Sequence, residues 1–187
     1  HEVPDARTNP AQGWYQWAVS IGLFEDTKNL NETPFEVIKR MKRLKPGHTV
    51  FEYNSINTYV CQCIIENVTQ TPLAELYGER FWRPIGAQGN GFYIMNKQGH
   101  ALGFGFMNST LRDLARYGMA FTPSQQNYGK EIVPKAVLQK LHSGLRPEIY
   151  GKGVYGSDLQ SDFPMPGISN RYQWDIITPD GDQFKSG

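Results

Sequence analysis

The feature that most constrains the fold is a series of helix starts, each marked by a capping residue or a proline ahead of an apolar, helically spaced segment. Thr33-Pro34-Phe35-Glu36 is the clearest of them. A capping Thr, a Pro at the first helical position and a Glu at the third together stabilise a helix N-terminus. Further starts are predicted at Asn54 or Ser55, at Thr71-Pro72, at Asn108-Ser109-Thr110 with Asp113, and at Pro134. The chain is therefore expected to be mostly helical through residue 143.

The segment after Asn54 shows the clearest helical spacing of apolar side chains. Spacings of four, three, one and four predict that one face is buried, and it comprises Ile56, Val60, Cys63, Ile64 and Val68. The residues immediately before it, Thr49 to Tyr53, are compatible with an extended strand. Tyr53 is therefore predicted at a junction between extended chain and helix.

Segments rich in Gly, Pro or aromatic residues separate these helices. Residues 1–32 are predicted to be a loop-rich lead-in packed by its aromatic side chains, and residues 89–106 an irregular loop or short strands. The density of Gly and Pro predicts a long loop over residues 144–170. Residues 171–187 are predicted to form a hairpin, because apolar and polar residues alternate and Pro179-Asp180-Gly181 is a typical turn.

Charge and composition exclude several classes of function. The formal net charge is +1, from 19 basic and 18 acidic residues, so no strong field favours nucleic acid or an anionic membrane. No apolar run approaches the roughly 20 residues that span a bilayer. Cys61 and Cys63 would lie on different faces of the predicted helix and lack further ligands at metal-binding spacing, so both are predicted to be buried apolar thiols. We expect no membrane span, metal or cofactor.

Seven strings over about 90 residues resemble, in order, the serine β-lactamase-like family. That family includes class C β-lactamases, D-alanyl-D-alanine carboxypeptidases, esterases and hydrolases of aminohexanoate oligomers. The matching strings are Pro46-Gly47, Phe51 to Thr58, Ile64 to Thr69, Pro72 to Glu75, Phe81 to Gly86, Leu111 to Gly118 and Gly129 to Pro134.

The resemblance implies an α+β fold of the β-lactamase/transpeptidase type, in which a helical subdomain covers one side of an antiparallel sheet. Residues 1–187 would form the middle-to-C-terminal part of one such domain. Tyr53-Asn54-Ser55 matches the family's tyrosine motif. Tyr53 would then be the general base that deprotonates a serine nucleophile and later protonates the leaving group, with Ser55 as its motif partner.

The third motif residue bears on the substrate. Class C β-lactamases usually have Asn where this chain has Ser55, so the pattern is more similar to the branch of aminohexanoate-oligomer hydrolases and esterases. The resemblance implies a small-molecule ester, amide or lactam substrate. Members of the family are often periplasmic or secreted, and the sequence itself does not assign a compartment.

A tyrosine base requires a cation close by. The pKa of a tyrosine is ordinarily about 10, so a base that works near neutral pH needs a depression of roughly three units, or about 4 kcal/mol. In the family that cation is the Lys of a Ser-x-x-Lys motif, whose Ser is the nucleophile. No Ser or Thr in this chain is followed three residues later by Lys.

The missing motif leads to two hypotheses. In the family, Ser-x-x-Lys lies upstream of the tyrosine motif, so we expect it before His1 in a longer polypeptide, with further strands after Gly187. The chain alone is then predicted to be inactive, and the remainder of the same polypeptide is its necessary partner. The alternative is a catalytically inactive binding or scaffold module that retains the fold.

Two further elements of the family pattern are present with differences. Lys185-Ser186-Gly187 fits a family motif that binds the substrate carboxylate and helps to form the oxyanion pocket. The same residues also fit a second alignment to the family, in which the motif itself comes after Gly187. Residues 103–106 read Gly-Phe-Gly-Phe where the family commonly has Gly-Gly-Leu or Gly-Gly-Met in the site wall.

Asp113 is predicted to cap a helix, and Arg112 to be its structural neighbour.

Overall fold

The computed structural model describes residues 5–185, and these form two compact units. The helical unit comprises residues 5–42 and 54–132, and the sheet unit comprises residues 43–53 and 133–185. The chain therefore begins in the helical unit, contributes residues 43–53 to the sheet unit, returns to the helical unit and then completes the sheet unit.

The helical unit contains short helices and one small antiparallel hairpin. Its elements are α1 (Gly13–Ser20), α2 (Pro34–Arg40), α3 (Ser55–Thr69), α4 (Leu73–Tyr77) with a π turn (Gly78–Trp82), β1 (Phe92–Tyr93), β2 (Met107–Asn108), α5 (Leu111–Met119) and a 3₁₀ turn (Pro123–Tyr128). The pairing of β1 with β2 agrees with the short strands predicted for this segment.

The capping residues predicted from the sequence form the expected hydrogen bonds. Glu36 N–H donates to Thr33 Oγ1 at 3.3 Å and Thr33 N–H donates to Glu36 Oε2 at 2.7 Å, which completes a capping box at α2. Asn54 rather than Ser55 caps α3, because Asn54 Oδ1 accepts from Ile56 N–H at 3.0 Å. These helix starts are therefore confirmed.

The core of the helical unit is built on α1, a helix in a segment that was predicted to be rich in loops. Trp14 and Trp17 of α1 are buried and meet edge to face, with ring centroids 5.8 Å apart. The helix was not predicted because Gln12, at its cap position, forms no side-chain capping bond and leaves no signal in the sequence. The aromatic packing was predicted correctly.

The buried face of α3 differs from the predicted one. Ile56 is buried, but Ile64 is exposed and Val68 retains 76% of its surface accessible. Gln62 is buried instead, since its amide bonds to backbone groups 39 and 41 residues later in the chain. Cys61 is exposed, so the prediction that it is a buried thiol was wrong.

The sheet unit combines three short helices with an antiparallel sheet of order β3-β4-β5. Its elements are α6 (Lys135–Leu141), α7 (Pro147–Tyr150), α8 (Val154–Asp162), β3 (Ser169–Arg171), β4 (Trp174–Ile177) and β5 (Gln183–Phe184). The terminal hairpin is confirmed. The long loop predicted over residues 144–170 is not observed as such, because α7 and α8 lie within it.

The connection between β3 and β4 explains why Tyr172 is not a strand residue. Arg171 pairs with Trp174, which leaves Tyr172 and Gln173 as a two-residue turn with φ of 47° and 68°. Two positive φ values fit the twist of a tight hairpin. The hairpin predicted from residue 171 onward is therefore observed with its first strand, β4, beginning at Trp174.

Within residues 5–185, none of the helices has both the length and the apolar character needed to cross a bilayer.

Candidate active site

The extended segment that carries Tyr53 is attached to α7 of the sheet unit. Phe51 N–H donates to the carbonyl oxygen of Ile149 at 3.1 Å, and the Phe51 ring stacks on Tyr150 with centroids 5.2 Å apart. Tyr150 is fully buried, and its hydroxyl donates to the carbonyl oxygen of Asp175 in β4 at 2.7 Å. The segment before Tyr53 is therefore connected through Tyr150 to the sheet.

Two glycines allow the region of α8 to approach this segment closely. A Cβ at Gly153 would collide with the carbonyl oxygen of Phe51, and one at Gly156 would collide with that of Tyr150. Backbone contact at this distance excludes any side chain. Gly153 and Gly156, which suggested a loop in the sequence, are thus required for close packing.

This packing places Tyr155 against Tyr53. The two rings lie 5.0 Å apart between centroids at an angle of 39°, and Tyr53 is partly buried. On the preceding residue, Glu52 accepts from Lys45 Nζ at 2.7 Å. The Tyr53 ring is therefore fixed on the sheet unit by an aromatic neighbour about 100 residues away in the chain.

The tyrosine motif spans the boundary between the units. Tyr53 is the last residue of its segment in the sheet unit, while Asn54 caps α3 and Ser55 is the first residue of that helix. Ser55 is buried. The junction predicted at Tyr53 is confirmed, and the N-terminus of a 15-residue helix follows it directly.

Lys185 follows β5 and forms an ion pair within the sheet unit. Its Nζ lies 2.7 Å from Asp175 Oδ2; the Asp175 side chain is buried and that of Lys185 is 45% exposed. Ser186 and Gly187 lie outside the described residues, so the assignment of residues 185–187 to the third motif stays a prediction, as does the alternative register.

The sequence profile of the family described as Beta-lactamase matches residues 8–175. The chain belongs to the beta-lactamase family. The structure is also similar to that of a protein from Bacillus anthracis named as a 6-aminohexanoate-dimer hydrolase, with a TM-score of 0.68 and 25% identity. The match covers 91% of this chain and 41% of that one. Among curated proteins, none matches the sequence significantly.

Membership of the beta-lactamase family confirms the fold and the resemblance predicted from the motifs. The family is one of serine hydrolases. The chain spans less than half of the length of the Bacillus anthracis protein. The residues that the family profile matches include the tyrosine motif but not Lys185.

Asp113, which also matches a family string, has a structural role in this beta-lactamase-family chain. Its fully buried carboxylate accepts hydrogen bonds from Gln88 and Gly89 N–H, from Thr110 Oγ1 and from Arg116 Nη1, at 2.8 to 3.0 Å. The bond from Gln88 contributes most and, with the others, outweighs burial and lowers the Asp113 pKa to about 2. The predicted cap of α5 is observed at Thr110, whose Oγ1 accepts from Asp113 N–H, whereas the Asp113 carboxylate bonds to backbone groups outside the helix. The neighbouring Arg112 is exposed.

The turn at residues 103–106 is attached to α3 through Gln62. Gly103 N–H donates to Gln62 Oε1 at 2.9 Å, and Gln62 Nε2 donates to the carbonyl oxygen of Ala101 at 2.8 Å. A Cβ at Gly103 would collide with Leu73. The role of Gln62 was not predicted, because a glutamine in a helix is usually solvent-exposed and its partners lie about 40 residues away.

Two of the described histidines, His48 and His142, lie next to polar side chains of the sheet unit. His48 Nδ1 lies 2.7 Å from Arg146 Nη2, and His142 Nε2 lies 3.1 Å from Gln183 Nε2. In the part of the chain that the structure describes, no three His, Cys, Asp or Glu side chains converge as a metal site requires.

Proposed function

We propose that the polypeptide containing this chain is a serine hydrolase that cleaves an ester or amide through an acyl-enzyme, with Tyr53 as general base. The observation that carries the proposal is the position of Tyr53, held against Tyr155 and followed directly by the capped N-terminus of α3. A helix N-terminus favours negative charge, and a phenolate base needs such an environment. The nucleophile and the lysine would come from a Ser-x-x-Lys motif elsewhere in the same polypeptide.

The proposed reaction has two steps in which Tyr53 moves one proton. In the first, the phenolate takes the proton of the serine hydroxyl while the serine oxygen attacks the substrate carbonyl, and the resulting phenol protonates the leaving group. In the second, water releases the acyl group and the serine regains its proton. Ser55 would be the motif partner in both steps.

We propose an ester or linear amide rather than a lactam as the substrate. Ser55 replaces the Asn of class C β-lactamases. The similar Bacillus anthracis protein is named for a dimer of aminohexanoate, which is a linear amide. Lys185 is proposed to bind a substrate carboxylate, which would have to share its ammonium group with Asp175.

Covalent labelling tests the assignment of Tyr53. The complete polypeptide would be treated with a fluorescent alkyl phosphonate ester and, in parallel, with a fluorescent penicillin. We expect phosphonate labelling that is lost in Tyr53→Phe and retained in Tyr172→Phe, a control that removes an exposed hydroxyl from the turn between β3 and β4. Equal labelling of the Tyr53→Phe variant would exclude Tyr53 as the base. Labelling by penicillin alone would reject the preference for esters and linear amides.

The alternative is a catalytically inactive binding or scaffold module that retains the fold. Reading the complete gene for Ser-x-x-Lys separates the two. A complete gene without Ser-x-x-Lys would exclude the acyl-enzyme mechanism and leave the inactive module.

A further inference from the structure

The ring of Tyr155 contacts two side chains of the extended segment before α3. Between centroids it lies 5.0 Å from the ring of Tyr53 and 6.1 Å from that of Phe51. Side chains two residues apart in an extended chain project from the same face. One aromatic ring of the sheet unit therefore packs against both of these side chains on that face of the segment.

The position of Tyr155 is itself fixed by the backbone on both sides of it. Gly153 and Gly156 flank this residue, and the atoms that exclude a Cβ at the two glycines are the carbonyl oxygens of Phe51 and Tyr150. Tyr155 is also the second residue of α8. All five residues belong to the sheet unit, as does the tyrosine of the motif. The contact between the two tyrosine rings is therefore made inside one compact unit.

The orientation of the Tyr53 side chain depends on this ring contact. Within residues 5–185, the Tyr53 hydroxyl has no hydrogen-bond partner that would hold it in one direction. The ring is only partly buried, so core packing does not enclose it. Aromatic rings at this separation attract each other beyond the apolar area that they bury. Tyr155 thus supplies the contact that selects the direction of the ring.

We propose that Tyr155 is a positioning residue for Tyr53. The inference rests on the proposed hydrolase function and adds to it the group that sets the place of the phenolic oxygen. A general base must hold its oxygen within hydrogen-bond reach of the proton that it takes, and a misplacement of about 1 Å can cost about 100-fold in rate. The ring of Tyr155, rather than its hydroxyl, makes the contact, so a phenylalanine at this position is expected to serve as well.

The kinetic test uses the complete polypeptide and p-nitrophenyl butyrate. We expect Tyr155→Ala to lower kcat about 10- to 100-fold and to leave KM within about twofold, because the base is misplaced and no substrate contact is removed. Tyr155→Phe retains the ring and is expected to keep kcat within about twofold of the wild type. Tyr155→Leu fills part of the space without an aromatic ring and should resemble Tyr155→Ala. An unchanged kcat in both ring-deleting variants, or an equal loss in Tyr155→Phe, would overturn the inference.

The matched control is Phe163→Ala, at the other end of α8. Phe163 is the residue that follows this helix, and its ring lies 5.7 Å from that of Phe184 in β5. The variant therefore removes a similar ring contact from the same helix and is expected to leave kcat unchanged. Equal losses of kcat in Phe163→Ala and Tyr155→Ala would show a general effect of loosening α8 and would also overturn the inference.

Fluorine NMR measures the position of the Tyr53 ring without reference to activity. The complete polypeptide would carry 3-fluorotyrosine at residue 53 alone. In the wild type, in Tyr155→Phe and in Phe163→Ala, we expect its resonance to be displaced from that of the unfolded protein. In Tyr155→Ala it should move toward the unfolded position while the unfolding transition remains cooperative. A resonance that does not respond to Tyr155→Ala would contradict the inference.

The two measurements separate this inference from the proposed function. If the resonance moves in Tyr155→Ala but no ester is hydrolysed, or Tyr53→Phe retains the wild-type kcat, Tyr155 positions Tyr53 and the hydrolase proposal with Tyr53 as base fails. If Tyr53→Phe abolishes hydrolysis while Tyr155→Ala changes neither kcat nor the resonance, the hydrolase proposal stands and the positioning role fails.

Discussion

Lys185 and Asp175 form an ion pair in which the carboxylate is buried and the ammonium group is half exposed. Loss of the lysine leaves a carboxylate inside the sheet unit without this cation. We expect Lys185→Gln to lower the free energy of unfolding by about 1–2 kcal/mol, less than for a fully buried pair because solvent reaches Lys185. Urea denaturation checks the value. The double variant Lys185→Gln/Asp175→Asn should recover part of the loss, and a double variant less stable than Lys185→Gln would contradict the assignment.

Because Gly103 lies against Leu73, we expect the turn to leave no room for a side chain at residue 103. Gly103→Ala should lower the free energy of unfolding by about 1–3 kcal/mol, because its methyl group would collide with Leu73 and displace Gln62. Gly105→Ala, two residues later, meets open space and is the control. Thermal unfolding of both variants distinguishes them, and equal unfolding midpoints would show that the turn adjusts freely.

Gly118 offers the opposite test, since it lies in α5 and a methyl group added there would meet no atom within 4 Å. Gly118→Ala is expected to raise the free energy of unfolding by about 0.5–1 kcal/mol, because alanine reduces the conformational freedom of the unfolded chain. Urea denaturation provides the measurement. A destabilised variant would mean that α5 is covered by another part of the protein at this position.

The Asp113 carboxylate makes the free energy of unfolding depend on pH. Its pKa in the folded chain is about 2, below the value of about 3.9 for an unfolded aspartate. The stabilisation is therefore fully present above about pH 4 and is lost as the pH falls through about 2. Asp113→Asn should be less stable at neutral pH and lose less stability between pH 4 and pH 2. Denaturation at several pH values, with the exposed Asp180→Asn as control, checks this; parallel curves for Asp113→Asn and the wild type would refute it.

Local signals in the sequence predicted those parts of the fold whose partners lie within a few residues. The capping box of Thr33 and Glu36, the Thr110 cap with Asp113, and the terminal hairpin depend on neighbours in the chain, and all three are observed. The position of Tyr53 at a helix start was predictable for the same reason.

Contacts between distant parts of the chain were not predictable in this way. Gln62 is buried because its partners, Ala101 and Gly103, arrive about 40 residues later. Gly153 indicated a loop by composition, yet it is required where α8 begins close to Phe51. Periodicity describes one element at a time, so it does not reveal which polar or small residue a second element requires.

The discontinuous sheet unit has a consequence for synthesis on the ribosome. Phe51 is made about 100 residues before Ile149 and Tyr150, the residues that hold its segment. At roughly 5–20 residues per second, the segment carrying Tyr53 therefore waits about 5–20 s before its partners emerge. During that interval Phe51 lacks both its backbone hydrogen bond and its ring contact, so a nascent chain stalled before residue 149 should be a preferred chaperone client.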